Sequence, residues 1–283
     1  VTRPSAPSPA SEEEQTVTAA TARPGPQEPV RDDPSLAAVF AVELGRLRTG
    51  LPFWLTVLLP VVLVLPLGLI SAASPEGRAG ALWQVWFGVV LMFWGTVQPM
   101  AAAVYAAASV RADRGARRIM YGYAFPRHRL LLGKYAALLT AGLCGSALLI
   151  LLLSAAAVLL GSPEEAVRVV PGVLVPWLGG AATLALCLAV AERWGFAATA
   201  GTGVAGMLLS ALAGDAPFWW ALPPVWPMRA VVPLAGVEAS GVPLQPGDPL
   251  HSTAVLPAVV ALSVLVAAVL LAVGARHVDR KEI

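Results

Sequence analysis

Residues 135–163 read YAALLTAGLCGSALLILLLSAAAVLLGSP, a run without one Asp, Glu, Lys or Arg. A bilayer core about 30 Å thick is crossed by about 20 helical residues, so this run is long enough to span it. Five further runs free of those four residues occupy 49–75, 79–110, 169–191, 194–214 and 251–275, each at least 21 residues long. With Pro, Gly and Ser trimmed from the ends, the expected helices are 52–72, 82–108, 135–160, 172–191, 196–214 and 253–275. The sequence therefore predicts an all-α integral membrane protein with six transmembrane helices.

Composition agrees. Of 283 residues, 57% are apolar and 13% charged, where a soluble domain carries about 25% charged. A mean hydropathy of +0.73 excludes a water-soluble enzyme. The span interiors hold no acid or base, which argues against a proton pump, an ion-coupled carrier or an intramembrane protease, because ionisable groups at depth are costly and kept for function. His128, His251 and His277 are scattered and supply no catalytic cluster, and Cys144 and Cys187 sit in apolar runs as small packing residues. A net charge of +2 gives no footprint for a nucleic-acid partner.

Basic residues set the expected orientation. With the N-terminus inside, the inner segments carry 13 Lys and Arg, the outer loops only Arg78, Arg168 and Arg229, and the distal tail the other three. Both termini are expected in the cytoplasm, and the chain in the plasma membrane. Eight of the nine tryptophans, among them Trp54, Trp177 and Trp226, read as interfacial, with only Trp94 deep.

Residues 1–34, with seven prolines and the triplet Glu12, Glu13 and Glu14, read as a disordered cytoplasmic tail without the pattern of a signal peptide. The chain opens on Val1 and has no Met before Met92. That reads as a GTG start translated literally, with later starts open at Val17 or Val30. From Ser35 the spacing of Leu36, Val39, Phe40, Leu44 and Leu47 predicts an amphipathic interfacial helix within 35–50, with Glu43, Arg46 and Arg48 on its polar face.

The segment 111–134 carries seven basic residues and one acid, Asp113. Ile119, Met120, Tyr121, Tyr123 and Phe125 lie among them beside Arg117 and Arg118. A short helix over 115–124, stopped by Pro126, would present these side chains as a docking knob. Interfacial anchoring of the same aromatics is the plainer alternative. Residues 215–250 hold eight prolines and the aromatics Phe218, Trp219, Trp220 and Trp226; the segment is too long for a tight connection and too apolar for a free loop. Within the spans, Gln98 beside Pro99 could mark a bent helix along a substrate path. Ala197, Gly201 and Ala205, with Gly203 and Gly206 alongside, make a small-residue face for helix contact within or between chains.

The run Phe125-Pro126-Arg127-His128-Arg129-Leu130-Leu131-Leu132-Gly133-Lys134 resembles the P-x-R-x-x-x-L-G-K segment that leads into the third span of ABC-2 type exporter permeases. Glu43-Leu44-Gly45-Arg46-Leu47-Arg48, before a span with Pro60, resembles the entry motif of the branch that includes lantibiotic-immunity and bacitracin-type permeases. The closing charged tail, 276–283, is similar to that branch's. Asp113 stands near the place where family members often carry a Glu.

The resemblance covers 35–283. It implies a permease that binds no cofactor itself and docks a cytoplasmic ATP-binding subunit, where ATP and Mg are held, through Glu43, Arg46, Asp113, Arg117, Arg118, Ile119, Met120, Tyr121, Tyr123 and Phe125. It also implies a second permease copy or paralogue, an external gate near Phe218, Trp219, Trp220 and Trp226, and outward movement of an amphipathic peptide, antibiotic or lipid-like substrate. Consistent with chemistry on a partner, the lone Gly133-Lys134 lacks the rest of a G-x-x-x-x-G-K-[ST] phosphate loop. The rival expectation is a non-transporting sensor or assembly subunit that holds a different protein through the same basic loop.

Overall fold

The computed structural model describes residues 34–73, 79–113 and 127–279. Among these residues the protein is helical, with one isolated antiparallel bridge between Val237 and Pro243. The helices are α1 Leu36–Leu47, α2 Leu51–Ala73, α3 Ala79–Asp113, α4 Arg127–Leu159, α5 Ala166–Gly179, α6 Ala181–Trp194, α7 Phe196–Ala213, α8 Trp226–Ala235 and α9 Val255–Asp279. Six stretches are long and apolar enough to cross a membrane, with α5 and α6 forming one of them. Uncharged runs become helices because a chain in hydrocarbon must satisfy every backbone N–H and C=O within itself. The distal tail, 1–33, lies outside the described residues.

Burial divides the bundle into a centre and a rim. The most apolar window of the α5–α6 span is 61% buried, whereas that of α2 is 11% buried. The outward sides of α2, α7 and α9 are lined by Leu65, Leu69, Leu208, Leu212, Leu265 and Val269, a surface suited to lipid contact. Trp83, Leu91, Leu149, Val173, Met228 and Val232 belong to one buried core, between α3, α4, α5 and α8.

Two helices are longer than the uncharged runs suggested. The α4 helix starts at Arg127, eight positions before the expected 135, and α3 continues to Asp113. The expected loop 111–134 therefore shrinks to the interval between those two ends. The physical reason is that Lys134 is held inside the bundle by two carboxylates, so the helix does not have to stop at its charge.

The fourth span is broken. Pro171 and Pro176 remove helical donors in α5, and Gly180 marks the junction with α6. The freed groups at the break are met from neighbouring helices: Ser263 Oγ donates to Gly179 O (2.9 Å) and accepts from Ala182 N (3.0 Å), and Tyr135 Oη donates to Ala181 O (3.1 Å). Because α5 begins at Ala166, ahead of the expected 172, Trp177 stands in the interior of the α5–α6 span, partly buried beside the break. At the far end of α6, Gly195 adopts φ +81° and reverses the chain directly into α7.

After α7 the chain folds back into the bundle. Ser210 Oγ donates to Pro224 O at 2.7 Å, so the short 3₁₀ turns Trp219–Ala221 and Pro223–Val225 bring Pro224 back alongside α7. The α8 helix then starts against the break: β-carbons at Gly179 and Gly95 would lie 3.4 Å from Pro227 N and 2.9 Å from Val231. The 215–250 segment is thus built of one ten-residue helix and a series of 3₁₀ turns.

Candidate functional site

Four charged side chains meet where α1, α3 and α4 converge. Ser35 caps α1 by accepting from Ala38 N (3.2 Å), and Gly133 lets α1 lie close on α4, since a β-carbon there would come 2.7 Å from Val39 Cγ1. This close approach carries Glu43 inward. Lys134 Nζ donates to Asp113 Oδ2 (2.7 Å), Glu43 Oε2 (3.1 Å) and Ser109 Oγ (3.1 Å). Arg46 Nη1 donates to Asp113 Oδ1 (2.9 Å) and Glu43 Oε1 (3.3 Å).

Each carboxylate accepts from both cations, and the ammonium finds an acceptor for each of its three N–H groups. Such saturation is what makes buried charge tolerable, because an unpaired ion at this depth would cost several kcal/mol. Lys134, Glu43 and Asp113 are 1–3% exposed, and only the Arg46 side chain, at 42%, reaches outward. The cluster ties three helices together without bringing net charge into the bundle.

This geometry corrects the place given to Glu43 and Asp113. Glu43 lies on the buried face of α1 with Val39 and Leu47, and both carboxylates are turned into the protein, whereas the Arg46 side chain reaches the surface. The spacing already held the signal: Val39, Glu43 and Leu47 repeat every four residues, which puts them on one helix face. Lys134 and Ser109 were not singled out as site residues, although Lys134 closes the L-G-K motif.

Arg117, Arg118, Ile119, Met120, Tyr121, Tyr123 and Phe125 lie outside the described residues. The cluster flanks their segment on both sides, since Asp113 ends α3 and Lys134 stands in the second turn of α4. Arg129 Nη1 donates to Pro34 O (3.3 Å), adding a second tie between α4 and the start of α1.

Gln98 and Pro99 separate in space. Pro99 is buried against α7, where a β-carbon at Gly206 would meet it at 2.8 Å. Gln98 instead lines a small, partly open cavity between α2, α3, α4 and the α5–α6 break. Its Nε2 is buried without a hydrogen-bond partner. The other polar groups of the lining include Thr56 and Tyr105, whose hydroxyls bond each other at 2.7 Å, and Trp177.

The four aromatics of the 215–250 segment also divide. Trp226 is in the core and donates from Nε1 to Trp219 O (3.2 Å), whereas Phe218 and Trp220 are exposed. Arg229 stands 5.8 Å over the Trp219 ring, a cation–π contact. Asp215 Oδ2 accepts from Ala239 N (2.9 Å), and burial, the largest cause, raises its carboxyl above the ordinary value.

The small-residue face on α7 splits likewise. Gly203 and Gly206 pack on α3, while Ala197, Gly201 and Ala205 face outward. No protein-family model, curated protein or solved structure matches this chain.

Proposed function

We propose that this chain is the membrane-spanning permease half of an ATP-driven ABC-2 type exporter, seated in the plasma membrane with both ends cytoplasmic. It works with a second copy or a similar permease, and two cytoplasmic ATP-binding subunits supply ATP and Mg chemistry. The observation that carries the reading is the cluster of Glu43, Arg46, Asp113 and Lys134, which joins α1 to both helix ends flanking 114–126. Force applied to that segment, or to the exposed face of α1, reaches α3 and α4 together through bonds of 2.7–3.3 Å.

In mechanism, closure of the ATP-binding subunits pushes the 114–126 segment and shifts the permease halves between inward- and outward-facing arrangements. Docking is by Arg46, Arg117, Arg118 and the apolar side chains from Ile119 to Phe125. Glu43 and Asp113 act one layer deeper, as the rigid base of that surface. The motifs that resemble the family supply three of the four charges, Glu43, Arg46 and Lys134, which supports the reading.

Purification of the full tagged chain from its native membranes in mild detergent tests it. An ATP-binding subunit in equal amount, lost in the double variant Met120→Asp and Tyr121→Asp, is the expected result. Recovery of the chain alone, or with a protein that binds no ATP, overturns the exporter reading in favour of a non-transporting subunit.

A further inference from the structure

The first turn of α6 is held from three directions at once. Tyr135 on α4 donates to Ala181 O (3.1 Å), and Ser263 on α9 donates to Gly179 O and accepts from Ala182 N. From another side, Thr183 Oγ1 donates to Pro223 O at 3.1 Å. Consecutive residues 181–183 thus carry one tie to α4, one to α9 and one to the turns that precede α8.

These ties run in series. Tyr135 follows Lys134, which the two carboxylates hold, so a displacement of α4 at the charged cluster moves both residues together. Pro223 precedes Pro224, whose carbonyl accepts from Ser210 Oγ on α7 (2.7 Å), and Trp226 Nε1 donates back to Trp219 O. The returning turns therefore hang on Thr183 and Ser210, which are 0–1% exposed. Packing follows the same line: Ala182, Trp226, Ala230 and Val259 form one buried cluster.

The break supplies the freedom such a series needs. Pro171 and Pro176 have no N–H to give to the preceding turn, and helical pairing is interrupted at Gly180, whose own N–H is shared between Pro176 O (2.9 Å) and Trp177 O (3.1 Å). A helix bends where its ladder is broken in this way. Buried hydroxyl-to-carbonyl bonds are costly to leave unmade, so groups bonded to the start of α6 follow it when it moves.

We infer that the first turn of α6 is a swivel that couples α4 to the 215–250 segment: freeing it from Tyr135 loosens the turns held by Thr183, although Tyr135 bonds to α6 and not to them. The coupling stands on these bonds and not on the exporter reading; within that reading it carries movement from the charged cluster to the returning turns.

The test is hydrogen exchange on the full chain in nanodiscs, read for peptides within 219–236. Tyr135→Phe, which removes only the hydroxyl, is expected to accelerate exchange there about threefold, the size of one buried hydrogen bond transmitted in part. Thr183→Val, which keeps the side-chain shape, is expected to accelerate the same peptides. Combined, the two substitutions are expected to give less than the product of their separate effects, because Tyr135 acts through the turn that Thr183 belongs to. Thr199→Val is the control. Thr199 is as buried but donates to Gly195 O at the start of its own helix (2.8 Å), and exchange in 219–236 is expected to stay unchanged.

Each variant removes one hydroxyl and retains the shape of its side chain, so the fold is kept, and an unchanged elution profile verifies this. Exchange in 219–236 that ignores Tyr135→Phe overturns the inference. So does a double variant whose effect equals the product of the single ones, since the two ties would then act independently. Equal acceleration by Thr199→Val overturns it as well, because the loosening would be general. Coupled exchange in a chain that purifies without an ATP-binding partner would retain the swivel and remove its transport role; a partner with uncoupled exchange would retain the exporter and remove the swivel.

Discussion

Lys134 and Asp113, on separate helices, meet at 2.7 Å with almost no exposure to solvent. Their contact is shared with Glu43 and Arg46, so the four groups act as a unit. Lys134→Met leaves two buried carboxylates with a single, partly exposed cation. We expect a loss of about 3–5 kcal/mol, read as a lower thermal midpoint in detergent. Asp113→Asn with Lys134→Gln, which keeps polar groups and removes one charge of each sign, should cost less than Lys134→Met alone. A larger loss in the double variant would contradict the cluster as described.

Gly133 sets how closely α1 approaches. Gly133→Leu would drive a side chain into Val39, lift α1 from α4 and separate Glu43 from Lys134. Hydrogen exchange should accelerate along Leu36–Leu47 and leave α5 and α6 unchanged. Unaltered exchange in α1 would show that the helix is held by other means.

Ser263 closes the break in the fourth span with two bonds. Ser263→Ala leaves Gly179 O and Ala182 N without that partner in a buried place, a cost of about 1–3 kcal/mol. Ser263→Thr, which retains the hydroxyl, should recover part of the thermal midpoint. Equal midpoints for wild type and Ser263→Ala would mean that the break is satisfied elsewhere.

Asp215 should give the 215–250 segment a pH dependence. Burial raises its carboxyl above the ordinary 3.8; the bond from Ala239 and the charge of Arg229 oppose this, and Glu238 and Asp248 reinforce it. The folded chain therefore holds this proton more tightly than the unfolded chain does. Its contribution to stability is greatest below the unfolded value and is lost as pH rises through the raised one. Asp215→Asn should be the more stable form at neutral pH, with the difference shrinking in acid. A difference that grows in acid would reverse the assignment.

The sidedness expected from the basic residues has a direct check. Cysteines placed at exposed Arg48 and at exposed Ser240, each in a background lacking Cys144 and Cys187, should react with a membrane-impermeant maleimide from opposite sides of intact cells. Only the Ser240→Cys variant is expected to label from outside; labelling of both would break the topology.

The six long apolar helices could be read from the sequence because lipid imposes one strong rule, the absence of charge over a membrane's thickness. That same rule misplaced the starts of α4 and the fate of Glu43. Lys134 and Glu43 count as breakers when each is read alone, and they become buried helix residues only because a partner from a distant part of the chain neutralises them. Pairing of this kind leaves no local trace. The four-residue spacing of Val39, Glu43 and Leu47 was a trace, outweighed by the assumption that charge faces water. Trp177 illustrates the complementary case: α5 begins at Ala166, six residues before the expected 172, because Arg168 is accommodated within the helix, so Trp177 stands in the interior of the α5–α6 span and not near its end. The cavity at Gln98 needed four separate segments to be brought together before it existed at all.

Two positive and two negative groups lie within one small volume at one end of α3 and α4. A single elementary charge crossing 100 mV exchanges about 2.3 kcal/mol with the field, but this quartet sums to zero. Any coupling of a movement of α1 with the ends of α3 and α4 to the membrane potential therefore comes from the arginines beside the quartet, Arg48, Arg111, Arg127 and Arg129, and not from the four paired charges.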